Sequence, residues 1–182
     1  LIDEIKNQKI NDSFQIFSLK KNIVGESVNS KLNKIANYLK KNKSDFLFVS
    51  APENVAWILN IRGGDSPNSP IPNARLIINR NKKLFLIAPQ KKVLKIIKER
   101  KISRKNIIEN KDLPNLIHKL KGEKFIIDNN SCSVFYENII KSKFKILDIN
   151  DPVYRLKSIK NSYEINHMIE AHKKDGLALT KF

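Results

Sequence analysis

The chain reads as an α/β protein, a mixed β-sheet flanked by helices, and three observations predict that class. Segments with apolar residues at helical spacing alternate with short runs rich in Phe, Ile and Leu. Two of those runs, Phe46-Leu47-Phe48-Val49 and Phe125-Ile126-Ile127, are apolar at every position, as strands covered on both faces must be. Residues 74–79 and 83–87 flank Arg80-Asn81-Lys82 as the arms of a hairpin flank its turn. A length of 182 residues suits one well-buried core with an appendage.

The elements follow in order. Ser27 or Ser30 caps a helix with Leu32, Ile35, Ala36 and Leu39 on one face, running to Lys43. After the strand at 46–49, Pro52 supplies the first turn of a short helix with an apolar stripe at Val55, Ile58, Leu59 and Ile61. Gly63-Gly64 is expected to stop that helix with positive φ, and Asp65 with the prolines after it to hold an irregular strip as far as Pro72. Beyond the hairpin, Pro89 precedes a helix over 91–99 that buries Val93, Leu94, Ile96 and Ile97. Ile107-Ile108 then forms a short strand. Leu113, Leu116, Ile117 and Leu120 mark a further helix, 125–127 a central strand, and Phe135, Ile139 and Ile140 a helix ending near Lys143. The chain returns as a strand over 144–149. From Asp151 the character changes: Asn161 and Glu164 are spaced as a capping pair, opening a helix to the end of the chain with a stripe at Ile165, Met168, Ile169, His172 and Leu179.

Composition narrows the function classes. No apolar run approaches the ~18 residues of a membrane span, so no membrane insertion is expected. The net charge of +17 invites nucleic-acid binding. Only six arginines contribute, however, and arginine is the residue favoured for bidentate phosphate and base contacts. The lysines, in pairs such as Lys20-Lys21, Lys40-Lys41, Lys91-Lys92 and Lys173-Lys174, read as solvated helix faces, and no RNA-binding, finger or phosphate-loop motif accompanies them. Nucleic acid is therefore not the favoured partner. Cys132 is single and sits in Asn129-Asn130-Ser131-Cys132-Ser133, a helix-start pattern, where it reads as a small buried residue rather than a nucleophile. His118 reads as a surface residue, and His167 and His172 are five apart, which places them on different helix faces. No catalytic residue and no metal ligand is assigned in this chain.

The segment from Asn54 to Pro72, Asn-Val-Ala-Trp-Ile-Leu-Asn-Ile-Arg-Gly-Gly-Asp-Ser-Pro-Asn-Ser-Pro-Ile-Pro, holds the single Trp and the single Gly pair. It resembles the middle, creatinase-like domain of the three-domain Xaa-Pro aminopeptidases. Leu1-Ile2-Asp3-Glu4-Ile5 and Val24-Gly25-Glu26-Ser27 with Lys31 resemble the family's approach to that domain. Asp151-Pro152, Ile159-Lys160-Asn161, Glu164-Ile165 and Ala171-His172-Lys173-Lys174-Asp175-Gly176 resemble its junction into the catalytic domain. Departures are Lys6 where relatives usually carry Trp, Asn68 where many carry His, and Tyr154-Arg155-Leu156 in place of a more Pro-rich junction.

The resemblance implies a creatinase/prolidase N-terminal fold and an exopeptidase acting on peptides with proline in second position. It also implies two divalent ions, manganese or zinc, held by a pita-bread domain outside this chain, a homodimer, and a cytoplasmic location. The implied division is 1–25 as a linker from a preceding domain, 26–150 as the α/β domain, and 151–182 as a linker with the first catalytic-domain helix, the lack of an initiator Met agreeing with a fragment. Within the loop, Arg62 and Asp65 are expected to pair and, with Gly63 and Gly64, to brace a domain or subunit boundary. The other reading of Arg62 faces it towards the active site of the complete enzyme. Two alternatives stand beside the aminopeptidase: a basic α/β module binding nucleic acid or another acidic partner, and a creatinase-fold recognition domain without hydrolysis.

Overall fold

The computed structural model describes residues 14–66 and 68–182; the features quoted at residues 1–6 lie outside that range. A six-stranded mixed sheet forms the body. Its strands are β2 (Phe46–Val49), β4 (Arg75–Asn79), β5 (Leu84–Ile87), β6 (Ile107–Ile108), β7 (Lys124–Ile127) and β8 (Lys145–Asp148), in the spatial order β6-β5-β4-β2-β7-β8. The β2, β7 and β8 strands are parallel to one another, β4 is antiparallel to both β2 and β5, and β6 lies parallel to β5. A separate ribbon pairs β1 (Phe17–Ser18) with β3 (Ile61–Arg62).

Alternation along the strands divides the core in two. Leu47, Val49, Leu76, Ile78, Leu86 and Ile126 face one side. There they meet α2 (Val28–Lys41), α3 (Pro52–Leu59), α4 (Leu94–Lys98) and α7 (Pro152–Ser158) through residues such as Ile35, Leu39, Val55, Ile58, Ile96 and Val153. On the other side, Phe46, Phe48, Ile77, Phe85, Phe125 and Ile127 pack on α5 (Leu113–Lys119) and α6 (Val134–Lys141). Phe46 and Phe125 stack at 4.7 Å, and Phe144 meets both rings edge-on. Each such pair contributes about 0.5–1.5 kcal/mol beyond area burial. The remaining helices are α1 (Lys21–Val24) and α8 (Ser162–Lys181).

The strands, the hairpin and the order of helices agree with the sequence expectation. Ser27 is the cap of α2, accepting from Ser30 N at 3.2 Å, and that helix ends at Lys41. Four expectations are corrected. The helix over 91–99 is a 3-10 turn, Gln90–Lys92, followed by the short α4; Val93 between them has φ −105° and ψ 3°, which breaks the helix. Leu94 therefore points outward, 54% exposed. Phe135 is likewise exposed, because α6 turns Ile140 inward instead. Cys132 is half-buried, and α6 starts after it at Val134 without a side-chain cap.

Candidate functional site

The loop after Trp57 is built by close packing, not by glycine turns. The α3 helix ends at Asn60, itself in the left-handed region (φ 53°, ψ 42°), a conformation asparagine tolerates. The chain then runs extended as β3, with Arg62 opposite Phe17. Neither Gly63 nor Gly64 has positive φ, so the expected turn is corrected. Their lack of a side chain serves contact: a Cβ on Gly63 would lie 2.8 Å from Pro72 Cα, and one on Gly64 2.5 Å from the Phe14 ring.

Arg62 and Asp65 do not pair with each other. Asp65 forms a nearly buried ion pair with Lys92, the two side chains being 9% and 10% exposed, and its second oxygen accepts from Asn73 N at 2.7 Å. The carboxylate thus ties the loop to both the start of β4 and the turn before α4. Lys92 O accepts from Ile16 N at 2.7 Å, which adds the approach to β1. Lys92 is buried, contrary to its reading as a solvated lysine. Arg62 donates through Nη1 to Ile61 O at 2.8 Å, and burial pulls its guanidinium below its ordinary value.

A second lysine organises the other flank. Lys31, 1% exposed, donates to Trp57 O at 2.7 Å and Asn60 Oδ1 at 2.6 Å, capping the C-terminus of α3, with its ammonium 4.0 Å from the Trp57 ring centre. Burial pulls its pKa down to about 8; Glu26 and Glu164 oppose that shift, and Arg62 and Lys34 add to it. From Trp57 the network passes to the C-terminal helix. Trp57 Nε1 donates to Glu164 Oε1 at 3.2 Å, and Glu164 completes a capping box with Asn161. Asn161 Nδ2 donates to Val24 O at 2.9 Å. Gly25 makes room for this junction: a Cβ there would lie 2.7 Å from Asn161 Oδ1. Arg62, Lys31, Trp57, Glu164, His167 and Met168 thereby line one cleft of about 280 Å³.

The start of α3 is tied to α7 by buried polar bonds. Asn54 Nδ2 donates to Asp151 Oδ2 at 2.8 Å, Asp151 Oδ1 caps α7 through Val153 N, and Asp151 N donates to Asp128 Oδ2. Burial raises the Asp151 carboxyl.

These groups make a brace and offer no reactive centre. Among the described residues no group of three or more His, Cys, Asp or Glu is placed to hold a metal ion. Burial pushes the Cys132 thiol up to about 11, the opposite of nucleophile activation. His118, His167 and His172 are all exposed. Sequence reasoning missed both buried lysines. Lys31 did carry a signal, since it lies four before Ile35 and eight before Leu39 on the buried face of α2.

The creatinase/prolidase N-terminal domain model matches residues 7–164. The Xaa-Pro aminopeptidase ApepP of Drosophila melanogaster is 28% identical over 190 residues, covering 100% of this chain and 30% of that protein. Xaa-Pro aminopeptidase 1 of Dictyostelium discoideum is 30% identical over 169 residues, covering 92% of this chain and 26% of that protein. The chain therefore spans less than a third of the curated relatives it matches. In fold it is similar to the crystal structure of X-prolyl aminopeptidase from Caenorhabditis elegans, described as a cytosolic enzyme with a di-nuclear active site. That similarity has a TM-score of 0.78 at 18% identity, over 99% of this chain and 30% of that one.

Proposed function

We propose, on the premise that this chain belongs to the creatinase/prolidase N-terminal domain family, that it is the α/β scaffold of a metal-dependent aminopeptidase removing an N-terminal residue that precedes proline. One observation carries the reading: the family match runs through the whole sheet, while the relatives named Xaa-Pro aminopeptidases are more than three times as long as this chain's share of them. On this reading residues 1–25 lead in from a preceding domain, 26–150 form the scaffold, and 151–182 lead into the catalytic domain. A boundary at α8 is supported by the absence of buried residues in that helix, whereas Ile16 and Val153 on either side of the scaffold range pack into its core. The described residues of this chain do not supply a metal-binding set. The two divalent ions, manganese or zinc, accordingly belong to the rest of the enzyme, and no chemical step is routed through this chain.

The scaffold's part is positional. Gly63, Gly64 and the Asp65–Lys92 pair hold the loop, with Arg62 facing the cleft beside α8, as a brace at a domain or subunit boundary of a homodimer. Cytoplasmic location is supported by the cytosolic description of the nematode relative.

The test is an assay of the whole gene product beside the 182-residue chain, each with added manganese or zinc. The whole product is expected to release the first residue of an Xaa-Pro peptide and to leave Xaa-Ala peptides intact, and the chain alone to release none. Activity in the isolated chain, or indifference of the whole product to proline, contradicts the proposal.

A further inference from the structure

One apolar groove, which borders the C-terminal junction at Val24 and the start of the loop at Leu59, has a basic rim. Val24, Val28, Leu59, Leu84, Ile96 and Ile102 line about 330 Å³ between α1, the start of α2 and the end of α4. Lys21, Arg100 and Lys101 stand over it. The rim is held by backbone bonds: Arg100 N donates to Ile97 O and Lys101 N to Ile96 O, both at 2.9 Å, with Arg100 at φ 56°. Two carboxylates stand at the groove, Glu26 lining it and Glu99 bonded to the lining Ser18, and both are already engaged. Glu26 accepts from Ser30 Oγ and pairs with Lys34, and Glu99 accepts from Ser18 Oγ. Among the described residues no carboxylate pairs with Lys21, Arg100 or Lys101. Lys95, Lys98, Arg104 and Lys105, on α4 and in the turn after it, are also exposed.

We infer that this groove docks an acidic polypeptide segment, with one aliphatic side chain entering the cavity and flanking carboxylates meeting the basic rim. Three features select that occupant. The site is concave, so it takes up a projecting side chain, whereas a bilayer surface needs a protruding apolar anchor. Its walls are aliphatic, which leaves nothing for bases to stack on. The surrounding charge exceeds what a single carboxylate would neutralise, which fits a segment bearing several acids. The inference rests on the lining and rim charge of this groove and does not depend on the proposed scaffold role.

The test uses the purified chain and a dye-labelled heptapeptide of Asp and Glu with a central Leu, read by fluorescence polarisation. Saturable binding is expected. Replacing the central Leu by Ser should weaken it about tenfold, the effect of losing one buried aliphatic side chain. The double variant K21E/K101E, changed only at exposed positions, should weaken it at least as much while keeping its far-ultraviolet circular dichroism. Equal binding of the Leu and Ser peptides overturns the inference, since diffuse charge alone would then explain the affinity. Displacement of the peptide by oligothymidylate, or by vesicles of phosphatidylserine and phosphatidylcholine, as effective as displacement by unlabelled peptide also overturns it.

Discussion

The α/β body and the helix α8 carry comparable apolar stripes and put them to opposite uses. In the body, Ile35, Leu39, Phe48, Leu76, Phe125 and Ile126 are essentially inaccessible. Along α8, Ile165, Met168, Ile169, Leu177 and Leu179 are between 45% and 74% exposed, and none of its residues is buried. The body is covered by its own helices, and α8 is held by polar bonds of its first turn, Asn161 to Val24 and Glu164 to Trp57. An amphipathic stripe therefore states which face will be covered, and only packing states whether the cover belongs to the same body.

That contrast has a direct mutational form. Phe125→Ala removes a ring stacked on Phe46 and met edge-on by Phe144, and should cost about 3–5 kcal/mol in urea unfolding. A cost below about 1 kcal/mol would mean that the second core face is not packed as described.

Lys31 sharpens the comparison at the boundary between the two regions. Its folded pKa, near 8, lies below the ordinary lysine value. Below pH 8 both folded and unfolded chains hold the proton, and the desolvation cost is fully felt. As pH rises past 8 the folded state releases the proton first, so stability should increase towards the ordinary lysine pKa and be fully gained above it. The gain is on the order of 3 kcal/mol. The raised Cys132 thiol acts with the opposite sign above about pH 9 in both proteins, so the test is the difference. The urea midpoint of the parent should rise relative to that of Lys31→Met between about pH 8 and the ordinary lysine pKa, and a pH-independent difference between the two would assign the effect to other groups. The smallest effect belongs to α8: Ile169→Ser should stay within about 0.5 kcal/mol, and a core-sized loss would erase the distinction.

Much of the body was legible because strands covered on both faces have no polar position to spare, as at Phe46-Leu47-Phe48-Val49, and because Asn161 and Glu164 form a local capping box whose spacing is its own evidence. The loop was less so. A glycine required for positive φ and one required for close approach look identical in sequence, and Gly63 and Gly64 prove to be the second kind. The helix end fell to Asn60, which carries no unique terminating signal. Asp65 had Arg62 three residues away as the obvious partner, yet it pairs with Lys92, brought near only by the fold. Charge pattern along the chain cannot reveal a partner supplied by tertiary structure, whereas Lys31, though not recognised, does sit at helical spacing from Ile35 and Leu39 on the inward face of α2.

Native-state hydrogen exchange resolved by residue tests the central claim most directly. Amides of β2 and β7 should exchange only through global unfolding, while those of α8 beyond Met168 exchange through local opening with little protection. Equal protection of α8 and the central strands would contradict the account, because the helix would then be an integral part of the body.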